Sequence, residues 1–478
     1  MKNRKTQLQK LLSLFNGELF HTNKKEGFIR ITSNGCQQVW KINSDMFRYY
    51  LINEYMKTNP GDHPPIKSII EEAINILEAK ALIEGPENQV YLRVAKSDEG
   101  IYLDLCNKDW EVIRITKDSW EVLQKSPIDF YRSNSMLPIP RPHKDSDYSD
   151  LNLLKKYLNF KDENDFKLLV AWLLTSVRDD IPLPILTLQG EQGSAKSTTS
   201  KVLKLLIDPS EMPIRSLPKK EDDLALASIH SWILSFDNIS GLSDQLSDSL
   251  CKISTGGSFS KRALYTNDDE YIFSFRRPLI LNGIDELAKR QDLLDRSIVL
   301  YLPTINENER MDEESFWKSL ELDRPKILGA ILNLISLALK RQSYTKLEYL
   351  PRMADFCKWI VPIEEEIGWQ KGGFLKAYEI NKNNAVIEGI ESNVFGSAIL
   401  QLMENIPEWE GNVTALLKDS RKYIDLNTIK YSEWPSIRTV RRELRRLSPG
   451  LRRLGIEYTE WQNKKHKTLK LVNKSKLS

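Results

Sequence analysis

Apolar and polar positions alternate with period two in two early stretches, Phe28–Thr32 and Gln38–Ile42, which predicts half-buried strands. Ser44 then stands as a cap before a helical stretch reaching about Met56, and residues 65–82 repeat at helical spacing. Strand periodicity returns at Val90–Val94, Ile101–Leu105 and Val112–Ile115. Asp104 lies inside one of these with no second carboxylate at useful spacing, so a solvated strand face is expected for it. Residues 1–149 therefore read as a mixed α/β domain of unassigned role. Met136–Lys144 closes it, with Pro138, Pro140 and Pro142 beside Arg141, His143 and Lys144, and reads as a linker.

From residue 150 the pattern changes. Leu151–Arg178 holds two helical segments, the second at Phe166–Val177. Largely apolar runs follow at Ile185–Leu188, within Ser231–Asn238, and within Arg277–Asn282 and Ser297–Leu302. Runs this short and this apolar predict strands of a parallel sheet buried on both faces. Ser315–Arg341 and Met353–Asn381 read as helices, a lid-like module over 311–392 in which Trp359 and Trp369 are expected in the core. The longest apolar stretch, Ile327–Leu339, already contains Asn333 and Ser336 and is too short to cross a bilayer.

After residue 393 come a helix at Phe395–Met403, a short one from Thr414, and a third over Pro435–Leu447. Ile437, Val440, Leu444 and Leu447 form its apolar stripe, and Arg438, Arg441, Arg442, Arg445 and Arg446 fill its other faces beside a single acid, Glu443. Two alternating strands, Gly455–Tyr458 and Thr468–Val472, are joined by a loop carrying Lys464, Lys465 and Lys467. Two helices, a basic helix and a basic-tipped hairpin make a winged-helix layout over 393–478, with the third helix suited to the DNA major groove and the wing to phosphates.

The chemistry is concentrated at Gly190-Glu-Gln-Gly193-Ser194-Ala195-Lys196-Ser197-Thr198, between a strand and a helix. Strand, Gly-rich turn, Lys-Ser and helix form the phosphate-cradling P-loop of an NTP-binding core. In it Lys196 reaches the phosphates and Ser197 sits on Mg²⁺. Ala195 replaces the usual glycine, which a negative φ at that position tolerates. Asp237 ends an apolar strand 41 residues after Lys196, as the carboxylate that organises Mg²⁺ does. Asn282 ends another and suits contact with the γ-phosphate or the attacking water. Arg296 follows 14 residues later, placed to act as a finger in a neighbour's site, with a structural salt bridge as its alternative role. Between them, Lys261-Arg262 stands at one end of a hairpin signal around Asn267-Asp268-Asp269, a candidate pore element.

Net charge is only +3. From Arg421 to Ser478, however, 16 Lys and Arg face 5 Asp and Glu, leaving +11 there and −8 elsewhere, the footprint of a polyanion partner. Contact of about five of these cations with phosphate implies a log–log salt slope of about −4 to −5. Four scattered cysteines without Cys-x-x-Cys spacing, and a polar N-terminus without an apolar signal core, point to a reducing, cytoplasmic setting without a zinc site or membrane contact.

As an ordered set, Gly-x-x-Gly-x-x-Lys-Ser, the strand ending in Asp237, the basic hairpin, Asn282 and Arg296 resemble superfamily 3 helicases, hexameric AAA+ motors of viruses, phages and mobile elements. The likeness covers roughly residues 150–475, with the motor at 150–310. The Gly-Glu-Gln-Gly-Ser-Ala-Lys-Ser loop, the Leu-Tyr-Thr arm, the Leu-Leu-Asp-Arg segment and the winged helix look most like ATPases related to satellite-phage and poxvirus-type primase–helicases. The resemblance implies an ATP- and Mg²⁺-dependent DNA helicase or translocase working as a homo-hexamer on single-stranded or forked DNA. It implies phosphate contacts from Gly190, Gly193, Ser194, Ala195, Lys196, Ser197 and Thr198, and a metal held by Ser197 and Asp237. Asn282 would be the sensor, Arg296 the trans-acting finger, and Lys261 and Arg262 pore residues. Asn238 stands where many relatives carry a second acid, so the residue orienting water is unassigned. No primase signature precedes the motor, and the N-terminal domain is left for replication or mobile-element partner proteins. The alternative is an ATP-switched DNA-binding initiator or defence ATPase that does not unwind.

Overall fold

The computed structural model describes residues 6–14, 17–33, 35–262, 270–274, 276–283, 291–424, 434–462 and 467–476. The chain is a mixed α/β protein built around a five-stranded parallel sheet. No described helix is long and apolar enough to cross a membrane.

The N-terminal region holds three small sheets, one of them the short parallel pair Val90–Tyr91 with Asp129–Phe130. Strands Gly17–His21, Gly27–Ser33 and Cys36–Lys41 pair antiparallel. Helices Asp45–Thr58 and Lys67–Ile83 cover that sheet through Phe47, Leu51, Ile74 and Leu77 against Ile29 and Ile31. Ser44 caps the first helix by accepting from Phe47 N, as its position predicts. The expected strand at Val90–Val94 is split into Val90–Tyr91 and Val94–Ser97. The second opens a four-stranded antiparallel sheet with Gly100–Asp104, Val112–Ile115 and Trp120–Leu123.

Asp104 is the first correction, because it is fully buried. Arg132 Nε and Nη2 grip its two oxygens at 2.9 and 2.6 Å, and Cys106 N donates to it at 3.0 Å. Burial of a carboxylate is tolerated because Arg132, 28 residues away in sequence, neutralises it. Periodicity cannot report a partner so distant.

Met136–Lys144 is an ordered strap. Leu137 N donates to Pro209 O, Ile139 N to Leu105 O and His143 N to Pro325 O. The strap crosses the long helix Glu313–Arg341 at Gly329, where a Cβ would come within 2.2 Å of His143 O. Apolar residues on both sides of residue 149, such as Ile113, Leu154, Leu206 and Ile331, share one continuous core.

The central sheet comprises β1 (Ile185–Gln189), β2 (Arg215–Ser216), β3 (Leu234–Asp237), β4 (Leu279–Gly283) and β5 (Ser297–Tyr301). Their spatial order is β2-β3-β4-β1-β5, all parallel. Every residue of β1 and β4 is buried, which is why these runs read as continuously apolar. The indoles of Trp172, Trp232 and Trp359 are buried, and each donates to a main-chain carbonyl, of Pro184, Ser176 and Leu174.

The lid is broken where one helix was expected over Met353–Asn381. Helix Ala354–Ile360 runs into a single 3-10 turn containing Pro362, and Gly373–Glu391 starts anew after Gly368 and Gly372, both at positive φ. Trp359 and Trp369 are buried, as expected.

The C-terminal domain has its own core. Helix Val394–Asn405, strand Glu408–Gly411, helix Val413–Ser420, helix Val440–Arg453 and strands Ile456–Gln462 and Lys467–Asn473 follow in order. The first strand pairs with the last, so the hairpin becomes a three-stranded antiparallel sheet. The basic helix starts at Val440 and not near Pro435, and it continues to Arg453. Ile437 consequently lies outside the stripe and is 62% exposed, while Leu451 is buried in its stead.

Candidate nucleotide site and nucleic-acid interface

β1 ends at Gln189, and the loop that follows needs unusual backbone angles. Gly190 has φ 145° and Gly193 has φ 86°. A Cβ at Gly190 would also lie 2.6 Å from Leu302 O. Ala195 corrects the expectation of negative φ, since it sits at φ 54°, ψ 28° in the left-handed region. A methyl group there costs about 1–2 kcal/mol, strain that the loop carries at its most chemical position. Helix Lys196–Ile207 begins immediately afterwards with no side-chain cap, so its first N–H groups keep their capacity for an anion.

The loop is closed on its own lysine. Lys196 Nζ donates to Gly190 O and Glu191 O, both at 2.8 Å, and to Ser194 Oγ at 3.2 Å. Its partial burial lowers its pKa, opposed by Asp237. Ser194 is buried and donates to Glu191 O. Asn159, which no local motif marks, braces the loop: its Nδ2 donates to Ser194 O at 2.9 Å and to Pro303 O at 2.7 Å. Thr198 lies half-buried in the first helical turn.

β3 and β4 deliver their terminal residues beside this loop. Ser197 Oγ donates to Asp237 Oδ2 at 2.7 Å. Two hard oxygen donors so placed fit a Mg²⁺ site. Asp237 Oδ1 accepts from Asn238 N, and Asn238 is exposed at φ 54°, a conformation asparagine tolerates. Asn282 is fully buried, with Oδ1 2.9 Å from Ser200 Oγ and Nδ2 unpartnered among the described residues. Ser200, one helical turn after Lys196, was not singled out from the sequence, because only the tertiary fold sets it against β4. Lys196, Ser197, Asp237 and Asn282 thus converge at the C-terminal edge of the sheet, where open α/β sheets bind ligands.

Arg296 is elsewhere. Ile185 N, at the start of β1, donates to Arg296 O, so Arg296 lies at the opposite edge, about 16 Å along the strands from the loop. Its side chain is 21% exposed and paired with Asp292, and Arg296 Nη1 also donates to Asp292 O at 3.0 Å. The salt bridge runs one helical turn back, and the adjacent Asp295 pairs instead with Arg352 and Arg453.

Lys261 and Arg262 end the strand Ser258–Arg262, which pairs antiparallel with Glu270–Ser274 so that Lys261 faces Tyr271 and Arg262 faces Glu270 in register. The expected turn at 267–269 lies outside the described residues, as do Lys464 and Lys465; Lys467 opens the last strand.

On the basic helix, Arg442 is exposed, as is Arg438 in the turn just before it; among the described residues neither makes an ion pair. Arg445 is paired with Glu460, a strand residue that also lies 3.9 Å from Arg441, and Arg446 pairs with Glu443 at 3.7 Å. The acid count of the helix alone therefore overstated its free charge.

The central and C-terminal parts of the chain each match a known family model. Residues 151–382 match the family model described as the actinomycete integrative conjugative element replication protein. Residues 395–477 match the model of the C-terminal domain of that replication protein, RepA. The chain is thus similar, over its central and C-terminal parts and in the same order, to replication proteins of a mobile element. No curated protein matches the sequence. Among solved structures, SCCmec type IV Cch, described as an active helicase, aligns at 12% identity and a TM-score of 0.47, over 95% of this chain and 92% of that one. The apo C-terminal region of NrS-1 aligns at 15% identity and a TM-score of 0.42, over 98% of this chain and all of the other.

Proposed function

We propose that the chain is an ATP-dependent DNA helicase or translocase of the superfamily 3 type, acting in replication of a phage or mobile element and hydrolysing ATP between subunits of a ring. The observation that carries this reading is the convergence of Lys196, Ser197, Asp237 and Asn282 at one sheet edge, with Ser197 Oγ 2.7 Å from Asp237. In it, Lys196 leaves the loop carbonyls for the phosphates, the uncapped helix start and Gly190–Thr198 amides bind oxygens, and Ser197 and Asp237 hold Mg²⁺. Asn282 presents a buried amide to the γ-phosphate side. Arg296, remote from its own loop, completes the site of a neighbouring subunit in a hexamer. Lys261 and Arg262 line the pore. Arg438, Arg441, Arg442, Arg445, Arg446, Lys464, Lys465 and Lys467 take DNA phosphates through a winged helix.

A second reading, an ATP-switched DNA-binding initiator or defence ATPase, is favoured by Asn238. Its amide is not a base, and a site without a base binds nucleotide better than it turns it over. Strand displacement on a forked duplex decides between them. The helicase separates strands with ATP, Lys196→Ala does not, and an intact wild type that binds DNA with ATP but separates nothing leaves the initiator.

A further inference from the structure

At the sheet edge remote from the phosphate loop, alternating charges run from the C-terminal domain to Arg296. Arg453, the last residue of the basic helix, places Nη2 3.1 Å from Asp295. Arg352, ahead of helix Ala354–Ile360, places Nη1 3.1 Å from Asp295 and Nη2 3.0 Å from Asp292. Asp292 in turn holds Arg296. The order is Arg453, Asp295, Arg352, Asp292, Arg296, and each carboxylate serves two guanidinium groups. The five residues come from the core, the lid and the C-terminal domain. Beneath them the buried Lys382 donates to Leu294 O and, at 3.2 Å, to Ser297 O. The backbone on either side of Asp295–Arg296 is therefore pinned, while the Arg296 side chain is tied through Asp292.

A carboxylate shared by two cations holds each less exclusively than one serving a single cation. With Arg453 docked, Asp295 is shared, so Arg352 divides itself between both acids and Asp292 is shared in turn. With Arg453 withdrawn, Asp295 draws Arg352 to itself and leaves Asp292 to Arg296 alone. We propose that Arg453 and Arg352 are positioning residues: docking of the C-terminal domain through Arg453 keeps Arg296 exchangeable, ready for the phosphate of a neighbour's nucleotide, and undocking locks it onto Asp292. Arg453 lies in the same helix as Arg441, Arg442 and Arg445, so the seating of that helix on DNA is read at Arg296. This inference rests on the reading of Arg296 as the residue that completes a neighbour's site.

The test is steady-state ATPase activity of the full chain with saturating single-stranded DNA, for wild type, Arg453→Ala, Arg453→Lys, Arg296→Ala and the Arg296→Ala/Arg453→Ala double variant. Arg453→Ala is expected to lower kcat about fivefold with KM for ATP unchanged, Arg453→Lys to recover most of the loss, and the double variant to match Arg296→Ala. Should Arg453→Ala lose the fold, Arg352→Gln tests the same link: with the Arg352 guanidinium gone from Asp292, Arg296 is the cation left on that carboxylate, and the same fall in kcat is expected. A wild-type kcat in a folded Arg453→Ala or Arg352→Gln overturns the coupling, as does a loss that lysine at position 453 does not recover or one that adds to Arg296→Ala. An Arg296→Ala protein as active as wild type overturns the underlying reading of Arg296 as well.

Discussion

The two edges of the parallel sheet hold their cations in opposite ways. At the C-terminal edge, Lys196 rests on neutral carbonyls and a hydroxyl, Gly190 O, Glu191 O and Ser194 Oγ. At the other, Arg296 rests on a carboxylate that it shares with Arg352. Neutral acceptors leave positive charge uncompensated and so favour an incoming anion. A carboxylate compensates the charge and must be outcompeted. In the proposed reading, one edge supplies phosphate and metal contacts from a single protomer, and the other offers a cation that must be released before it can serve a partner. The difference teaches that residues assigned to one reaction by sequence order need not share one environment.

The sharpest way to break this comparison is to remove each cation in turn. Arg296→Ala is expected to lower kcat for ATP by about 10³-fold while ATP affinity, measured by titration, stays near wild type. Lys196→Ala is expected to lower hydrolysis by about 10²-fold or more and to weaken ATP binding as well. Similar affinity losses in both variants would erase the distinction between the two edges.

The pinning of the Arg296 backbone is testable by pH. Burial pushes the Lys382 ammonium down to about 7, against Asp295, which favours the charged form, and with Arg453, Arg352 and Arg296 adding to the depression. In the unfolded chain the ordinary value is about 10.4. Between these values the unfolded state binds more protons, so stability rises with pH, by up to about 1.4 kcal/mol per unit, and is insensitive below pH 7. The difference in unfolding free energy between wild type and Lys382→Met, followed from pH 6 to pH 9, should show that slope.

On the C-terminal domain, Arg442→Ala should weaken DNA binding and reduce the log–log salt slope by about 1. Arg445→Ala should reduce it less, because Glu460 already compensates that guanidinium. The smallest effect is expected at the loop. Ala195→Gly should raise stability by about 0.5 kcal/mol, read as a higher urea midpoint at unchanged m-value, because relief of the left-handed strain exceeds the added chain entropy.

Much of the central domain was legible residue by residue. β1, β3, β4 and β5 were visible as short apolar runs because a sheet buried on both faces leaves no polar alternation to misread. The helix after the Gly-rich loop and the capped helix after Ser44 were visible because their signals are local. The register of the basic helix was less legible, since Ile437 fits the stripe by spacing while the chain at 437–439 takes up a turn. Asp104 was misread for a related reason: its surroundings depend on Arg132, which no periodicity connects to it. Asn159, Ser200, Glu460 and Arg453 carried no signal, because each acts on a residue from another element.

What the sequence by itself determined is the set of elements and their chemistry: period-two and continuous apolar runs, the Gly-rich turn before a lysine, and the cationic excess after residue 421. These follow from local sterics and from apolar burial, which neighbouring residues decide. Only the tertiary structure decided which polar groups meet. It set Ser197 against Asp237 and Ser200 against Asn282, gave Ala195 its left-handed backbone, and joined Arg453 to Arg296 through two shared carboxylates. Hydrogen bonds and ion pairs act over a few ångströms in space, and chain order places no such limit on separation in sequence.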